Sequence, residues 1–209
     1  MPSRLLTIDE LTRPDHTYLA ADDECHYLGE YTARAGFSFS ATNDLIQNLK
    51  KPMDRRGRPE WRYKEQAIRA FGQQLGEAMN ADFLSKATLV PVPPSHRPDD
   101  PAYDDRMLQI LRAMAGSKEF DIRELVTMRV SIEPAHLKES SRSVEALVEA
   151  FAIDTRLLSP SPTAIAIFDD VLTTGAHFAA MKRLLRRRFP ETPLCGIFLA
   201  RRDPKAAEV

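Results

Sequence analysis

One stretch of eleven residues constrains this chain more than any other. It runs from Ile165 to Gly175 and reads I-A-I-F-D-D-V-L-T-T-G. A short apolar run bounded by turn residues is typical of a buried parallel strand. The apolar spacing after Gly175 is typical of an amphipathic helix. The sequence therefore predicts a strand that ends at Asp169 and Asp170, then a turn that opens a helix.

The predicted turn is suited to an anion. The first N–H groups of a helix have no partner within the helix and lie at the positive end of its dipole, where phosphate commonly binds. Thr173 and Thr174 add hydroxyl donors, and Gly175 permits close approach of a ligand to the backbone. Asp169 and Asp170 can accept hydrogen bonds from sugar hydroxyls. The alternative interpretation is an ordinary strand end with an acidic helix cap.

This stretch resembles the signature of the type I phosphoribosyltransferases, which bind 5-phosphoribosyl-1-pyrophosphate (PRPP). The resemblance implies that Asp169 and Asp170 are catalytic residues that hold the ribose hydroxyls. Neighbours on a strand point to opposite faces, so both reach one sugar only if the strand has begun to turn. Asp170 is the stronger candidate for direct contact. The resemblance also implies a 5′-phosphate site formed by Leu172, Thr173, Thr174, Gly175 and Ala176.

A second motif narrows the resemblance. Residues 87–92 form a predicted buried strand that leads into P-V-P-P-S-H-R, residues 91–97. This motif is similar to that of the ComF-like, competence-associated group of the family, although the chain lacks that group's zinc finger. In type I enzymes the corresponding loop binds pyrophosphate, which implies this role for Ser95, His96 and Arg97. An ordinary exposed loop is the alternative.

Three further basic residues are possible site residues. Residues 45–50, LIQNLK, resemble the segment that precedes the core in ComF-like proteins, with Lys50 at its lysine. Residues 101–106 depart from the Arg-Gly-Phe-Asn-Gln pattern of the group, and Arg106 is the candidate for the missing positive charge. Arg142 lies in a polar connection where the group carries an arginine. A surface loop is an equal alternative for that connection.

Predicted strands near residues 88, 126, 166 and 196 alternate with helical stretches. This alternation predicts an α/β fold with a mainly parallel central sheet flanked by helices. The resemblance implies a type I phosphoribosyltransferase-like core. We expect residues 1–86 to form an N-terminal hood and helical segment, and residues 87–209 to form the PRPP-binding core of one compact unit. Within the hood, Phe37 and Phe39 alternate as on a strand.

Composition limits the classes of function. The 209 residues include 29 basic and 30 acidic side chains, for a net charge of -1. This balance argues against a general polyanion-binding protein, so a nucleic-acid partner is possible but not favoured. No apolar run approaches 18 residues, and the first residues lack a signal-peptide core. The isolated Cys25 and Cys195 argue against zinc and disulfides. These features predict a cytoplasmic protein without membrane association.

The resemblance implies a reaction in which a nitrogen nucleophile displaces pyrophosphate from C1 of PRPP. Its cofactor would be Mg²⁺, held mainly by phosphate oxygens, so no metal-ligating residues are expected in the chain. The acceptor is unidentified, and the resemblance implies a homodimer, because dimers are common in the family. The alternative function is a non-catalytic module that senses PRPP or nucleotides, or assists DNA handling. An unrelated α/β protein would bind no PRPP.

Overall fold

The computed structural model describes residues 3–131 and 143–204. Six strands of this part form one sheet in the order β1-β2-β8-β7-β3-β4, and two others form a separate antiparallel pair. Every neighbouring pair of the large sheet is parallel except β1 with β2. The predicted α/β fold with a mainly parallel sheet is therefore confirmed. The strands are β1 (Leu6–Thr7), β2 (Cys25–Tyr31), β3 (Thr88–Pro91), β4 (Asp121–Ile122), β5 (Val126–Met128), β6 (Phe151–Ile153), β7 (Ile165–Leu172) and β8 (Leu194–Arg202).

Helices cover both faces of the large sheet. On one face, Phe178 packs in the same buried cluster as Ile165 and Ile167. On the other face, Phe71 packs with Ala166 and its neighbours on β7. From Ile165 to Phe168, the side chains of β7 therefore alternate between two helical layers, as expected for a strand buried on both faces. The helices are α1 (Ala41–Leu49), α2 (Trp61–Ala78), α3 (Ala81–Lys86), α4 (Arg106–Ala115), α5 (Val144–Ala150) and α6 (Ala176–Arg188).

The central strand β7 is longer than the sequence predicts. It continues past Asp169 and Asp170 to Leu172. The reason is that its parallel ladder with β8 also continues, with Leu172 opposite Arg201. The prediction that the strand ends at the two aspartates was wrong. Their side chains consequently lie on a regular strand, not on a turn.

The N-terminal segment takes part in the central sheet. Strand β2 pairs in parallel with β8 along its length, and β1 pairs with β2. Helices α1 and α2 contribute to the same buried cluster as β3 and β7. Residues from both sides of position 87 thus share one sheet and one core. No described helix has both the length and the apolar character needed to cross a membrane.

Two local predictions were wrong. Phe37 and Phe39 belong to a single 3-10 turn and are exposed, because Gly36 with a φ of 76° redirects the chain just before helix α1 begins. The predicted strand near residue 126 exists as β5, but it pairs with β6 and not with the central sheet. The short strand β4 occupies the edge position next to β3.

Two glycines of α2 give a matched test of packing against α4. A Cβ added at Gly72 would lie 2.8 Å from the Cβ of Ala113, whereas one at Gly76 would lie 3.7 Å from the nearest atom. Alanine gains about 1 kcal/mol over glycine in a helix interior, and overpacking costs about 1–3 kcal/mol. We expect Gly72→Ala to lower the free energy of unfolding in urea by about 1 kcal/mol net. Gly76→Ala, the control, should raise it, and equal effects would contradict this packing.

Candidate functional site

Two adjoining cavities open where the carboxyl ends of β3 and β7 meet. The larger has a volume of about 380 Å³ and the smaller about 190 Å³. Ligands of open α/β sheets bind at this edge of the sheet. The two cavities share a rim formed by Lys50, Pro93, Ser95, Asp169, Asp170 and His177.

The predicted phosphate turn lines the larger cavity. Leu172 to Ala176 all contribute to its wall, and Thr173 and Thr174 are exposed. Gly175 precedes helix α6 with a φ of 83°, a left-handed conformation that favours glycine. No side chain of the described residues caps this helix. The first N–H groups of α6 therefore remain available to an anion in the cavity.

Asp169 is paired with a histidine that sequence reasoning missed. Its Oδ2 lies 3.2 Å from Nδ1 of His177, the second residue of α6. Desolvation lowers the pKa of His177, but the hydrogen bond to Asp169 and the charges of Asp169 and Asp170 outweigh it, so the pKa is raised. The only signal in the sequence was the position of His177 two residues after Gly175.

Asp170 is paired with two cations from the opposite helical layer. Its carboxylate lies 3.0 Å from Nζ of Lys50 and 3.5 Å from Nη1 of Arg106. Burial raises the pKa of Asp170, but the charges of Lys50 and Arg106 outweigh this effect and lower it. Two candidates that sequence reasoning held only as possible, Lys50 and Arg106, are thus brought together at the predicted catalytic aspartate.

A buried lysine supports these two cations from behind. Lys64 is 1% exposed, and its Nζ donates to the carbonyl oxygens of Leu49 and Lys51 at 2.6 and 3.0 Å. It also lies 2.7 Å from Asp104, whose carboxylate is 3.3 Å from Nε of Arg106. Burial lowers the pKa of Lys64, and Asp104 opposes that shift. The sequence did not indicate Lys64, because the helical pattern of α2 is defined by its apolar residues and does not include a lysine.

Of the three predicted pyrophosphate-binding residues, only Ser95 lines the cavities. Ser95 lines both cavities. His96 instead has its Nδ1 3.1 Å from Asp100, and Arg97 has its Nε 3.2 Å from Asp99. Among the described lining residues of the two cavities, neither His96 nor Arg97 is present. The third possible basic residue, Arg142, lies outside the described residues.

The smaller cavity is rich in carboxylates. Tyr103, from the segment that departs from the ComF-like pattern, donates a hydrogen bond to Glu124 at 3.2 Å. Burial, with help from Glu124, raises the pKa of Tyr103 to about 12. An anion in this cavity is attracted by Lys50 and Arg106 but repelled by the carboxylates of the wall, so it would need an accompanying cation. The carboxylates of its wall are those of Asp104, Asp105, Glu124, Asp169 and Asp170.

Comparison of the chain with models of known protein families and with curated proteins found no match.

The Asp169–His177 pair yields a prediction for titration. Because a raised pKa means that the charged form is stabilised, the pair adds stability below about pH 6.5 and loses it as pH rises through the folded pKa. Asp169→Asn should therefore lower the pKa of His177, as followed by NMR of the imidazole signals. Asp154→Asn, at the start of the 3-10 turn Thr155–Leu157 and paired with Arg156, serves as the control. An unchanged His177 pKa in Asp169→Asn would contradict the pairing.

Proposed function

We propose that this protein binds PRPP and transfers its phosphoribosyl group to a nitrogenous acceptor, with release of pyrophosphate. One observation carries the proposal: the phosphate turn, both aspartates, Lys50 and Ser95 line a single cavity at the carboxyl edge of the sheet. The resemblance of residues 165–175 to the type I phosphoribosyltransferase signature supports the same ligand. A cavity of about 380 Å³ lies within the range of ordinary small-molecule sites.

In this proposal the 5′-phosphate lies against the turn. The free N–H groups at the start of α6 and the hydroxyls of Thr173 and Thr174 bind its oxygens. The pentose then lies toward the rim, beside Asp169 and Asp170, which accept hydrogen bonds from its hydroxyls. The pyrophosphate extends from C1 toward Ser95, Lys50 and the smaller cavity.

Charge on the rim suits the proposed bond exchange. The bond from C1 to the pyrophosphate oxygen breaks and a bond from C1 to nitrogen forms, so positive charge develops on the sugar and negative charge on the leaving group. Carboxylates beside the sugar and cations beside the leaving group stabilise both. Asp170 is paired with Lys50 and Arg106. Substrate must therefore exchange these ion pairs, with sugar hydroxyls binding Asp170 and pyrophosphate oxygens binding the two cations.

Mg²⁺ fits this site as an ion carried by the substrate. Among the described residues, no group of three or more His, Cys, Asp or Glu side chains could hold a metal. The rim carboxylates Asp169 and Asp170 are already paired with His177, Lys50 and Arg106. When bound, Mg²⁺ would neutralise the leaving pyrophosphate, with most of its ligands from phosphate and water oxygens. No residue of the chain is assigned as a metal ligand.

A second candidate function is binding of PRPP or a nucleotide without turnover. It is favoured by the segment 101–106, where Asp104 pairs with Lys64 and Arg106 and Tyr103 donates a hydrogen bond to Glu124. The resemblance implies a mobile loop over the site in this region, and a segment held by these contacts is poorly suited to such motion.

Calorimetric titration with PRPP and Mg²⁺, followed by an assay of pyrophosphate release with a panel of purine and pyrimidine bases, separates these functions. Binding with acceptor-dependent release supports the transferase. Binding without release from any base supports the sensor. No binding of PRPP or of ribose 5-phosphate would overturn both.

Asp170→Asn tests the assignment of the sugar site. We expect it to weaken PRPP binding at least tenfold, or about 1.4 kcal/mol, because an amide carries no negative charge for the ribose hydroxyls. Binding of inorganic pyrophosphate should not fall, since Lys50 and Arg106 are released from their partner. Asp82→Asn, at an exposed position of helix α3, which precedes β3, is the control. Unchanged PRPP affinity in Asp170→Asn would exclude this role for Asp170.

A further inference from the structure

Residues 16–19 of the N-terminal segment contact the phosphate turn but line neither of the two cavities. Nδ1 of His16 lies 2.5 Å from the carbonyl oxygen of Thr173. The backbone N–H of Tyr18 donates to the carbonyl oxygen of Thr174 at 2.9 Å. Leu19 packs against Gly175 so closely that a Cβ added at this glycine would lie 2.9 Å from Leu19 Cδ2.

These contacts decide which way the N–H groups of the turn point. A trans peptide unit is planar, with its C=O and the following N–H directed to opposite sides. The Thr173 carbonyl points at His16, so the N–H of Thr174 points away from His16. By the same geometry, the N–H of Gly175 points away from Tyr18. The N–H groups of Thr174 and Gly175 therefore point away from the N-terminal segment. We take this direction to be toward the larger cavity, which Thr173, Thr174 and Gly175 line.

His16 is built as a neutral hydrogen-bond donor. It is 1% exposed, and since a carbonyl oxygen only accepts, Nδ1 must carry the proton. Burial lowers the pKa of His16, the Thr173 bond opposes this, and the positive charge of Arg201 adds to the lowering. The nearby charges of Asp15 and Arg13 act in opposite directions. The imidazole is therefore neutral at neutral pH.

The position carries a cost that simple packing does not explain. Nε2 of His16 is buried without a hydrogen-bond partner among the described residues. An unsatisfied buried polar atom is destabilising, and an apolar ring of similar size would avoid it. What the histidine supplies in return is the bond to a carbonyl 157 residues later in the chain.

We infer that His16 is a positioning residue for the phosphate turn, and that its bond to Thr173 directs the N–H groups of Thr174 and Gly175 at a bound phosphate. The inference rests on the proposed function, because it assigns this turn to the 5′-phosphate. It adds a residue from a part of the chain that neither motif includes.

Two substitutions separate the donor from the bulk of the side chain. His16→Phe keeps a ring but removes the donor, whereas the Nδ2 of His16→Asn lies as many bonds from Cβ as the histidine Nδ1. We expect His16→Phe to weaken binding of ribose 5-phosphate in calorimetry at least tenfold, about 1.4 kcal/mol. His16→Asn should stay within about threefold of the wild type. The carbonyl ¹³C shift of Thr173 should change in His16→Phe and be largely retained in His16→Asn.

The outcomes are distinct. If the wild type itself does not bind ribose 5-phosphate, the proposed function fails. If the wild type binds and His16→Phe binds equally well, the positioning role fails. Equal weakening in His16→Phe and His16→Asn would reduce His16 to a structural residue and overturn the inference.

The tautomer of His16 can be measured on the wild type, so this test does not depend on whether a variant folds. The ¹⁵N shifts of His16 must show the neutral tautomer with the proton on Nδ1, both with and without ribose 5-phosphate. A proton on Nε2 would overturn the inference, because the Thr173 carbonyl would then have no donor.

Discussion

The buried ammonium group of Lys64 is the interaction on which the cationic side of the site depends. A lysine taken out of water remains charged only with close partners, and Lys64 has three acceptors: the carbonyl oxygens of Leu49 and Lys51 and the carboxylate of Asp104. The two carbonyls flank Lys50 and fix the end of α1 that carries it. Asp104 in turn contacts Arg106. One buried charge therefore orients both cations that reach Asp170.

The regular geometry of β7 explains why the two aspartates behave differently. Because the strand has not turned, Asp169 and Asp170 lie toward different helical layers. Asp169 meets His177 on α6, and Asp170 meets Lys50 and Arg106, which lie at the ends of α1 and α4. One acidic pair in the sequence thus becomes two separate ion-pair systems that share a rim. Asp169 and Asp170 would each bind a sugar between them from a separate ion-pair system.

The sequence predicted the parts of this molecule that depend on local pattern. The buried strand β7 and the turn 172–176 follow from short motifs at the carboxyl edge of a parallel sheet. Lys50 and Arg106 were possible site residues, but their pairing with Asp170 was not predicted. What the sequence could not predict depends on contacts between distant segments. The continuation of β7 to Leu172 depends on its ladder with β8. The position of β5 outside the central sheet depends on its pairing with β6. His16 finds its partner 157 residues away, which no periodicity encodes.

The two halves of the site are held by different forces, and this difference bears on how they work. The phosphate turn is backbone, fixed from behind by hydrogen bonds from His16 and Tyr18, so its donors are oriented before any ligand arrives. Lys50, Arg106 and Asp170 are side chains held by ion pairs with one another. If the proposed function holds, a phosphate can therefore bind the turn without rearrangement, whereas the sugar and the leaving group must exchange ion pairs. Free energy from binding at the rigid half is then available to open the paired half, as expected when a remote part of a substrate drives rearrangement at the reacting centre.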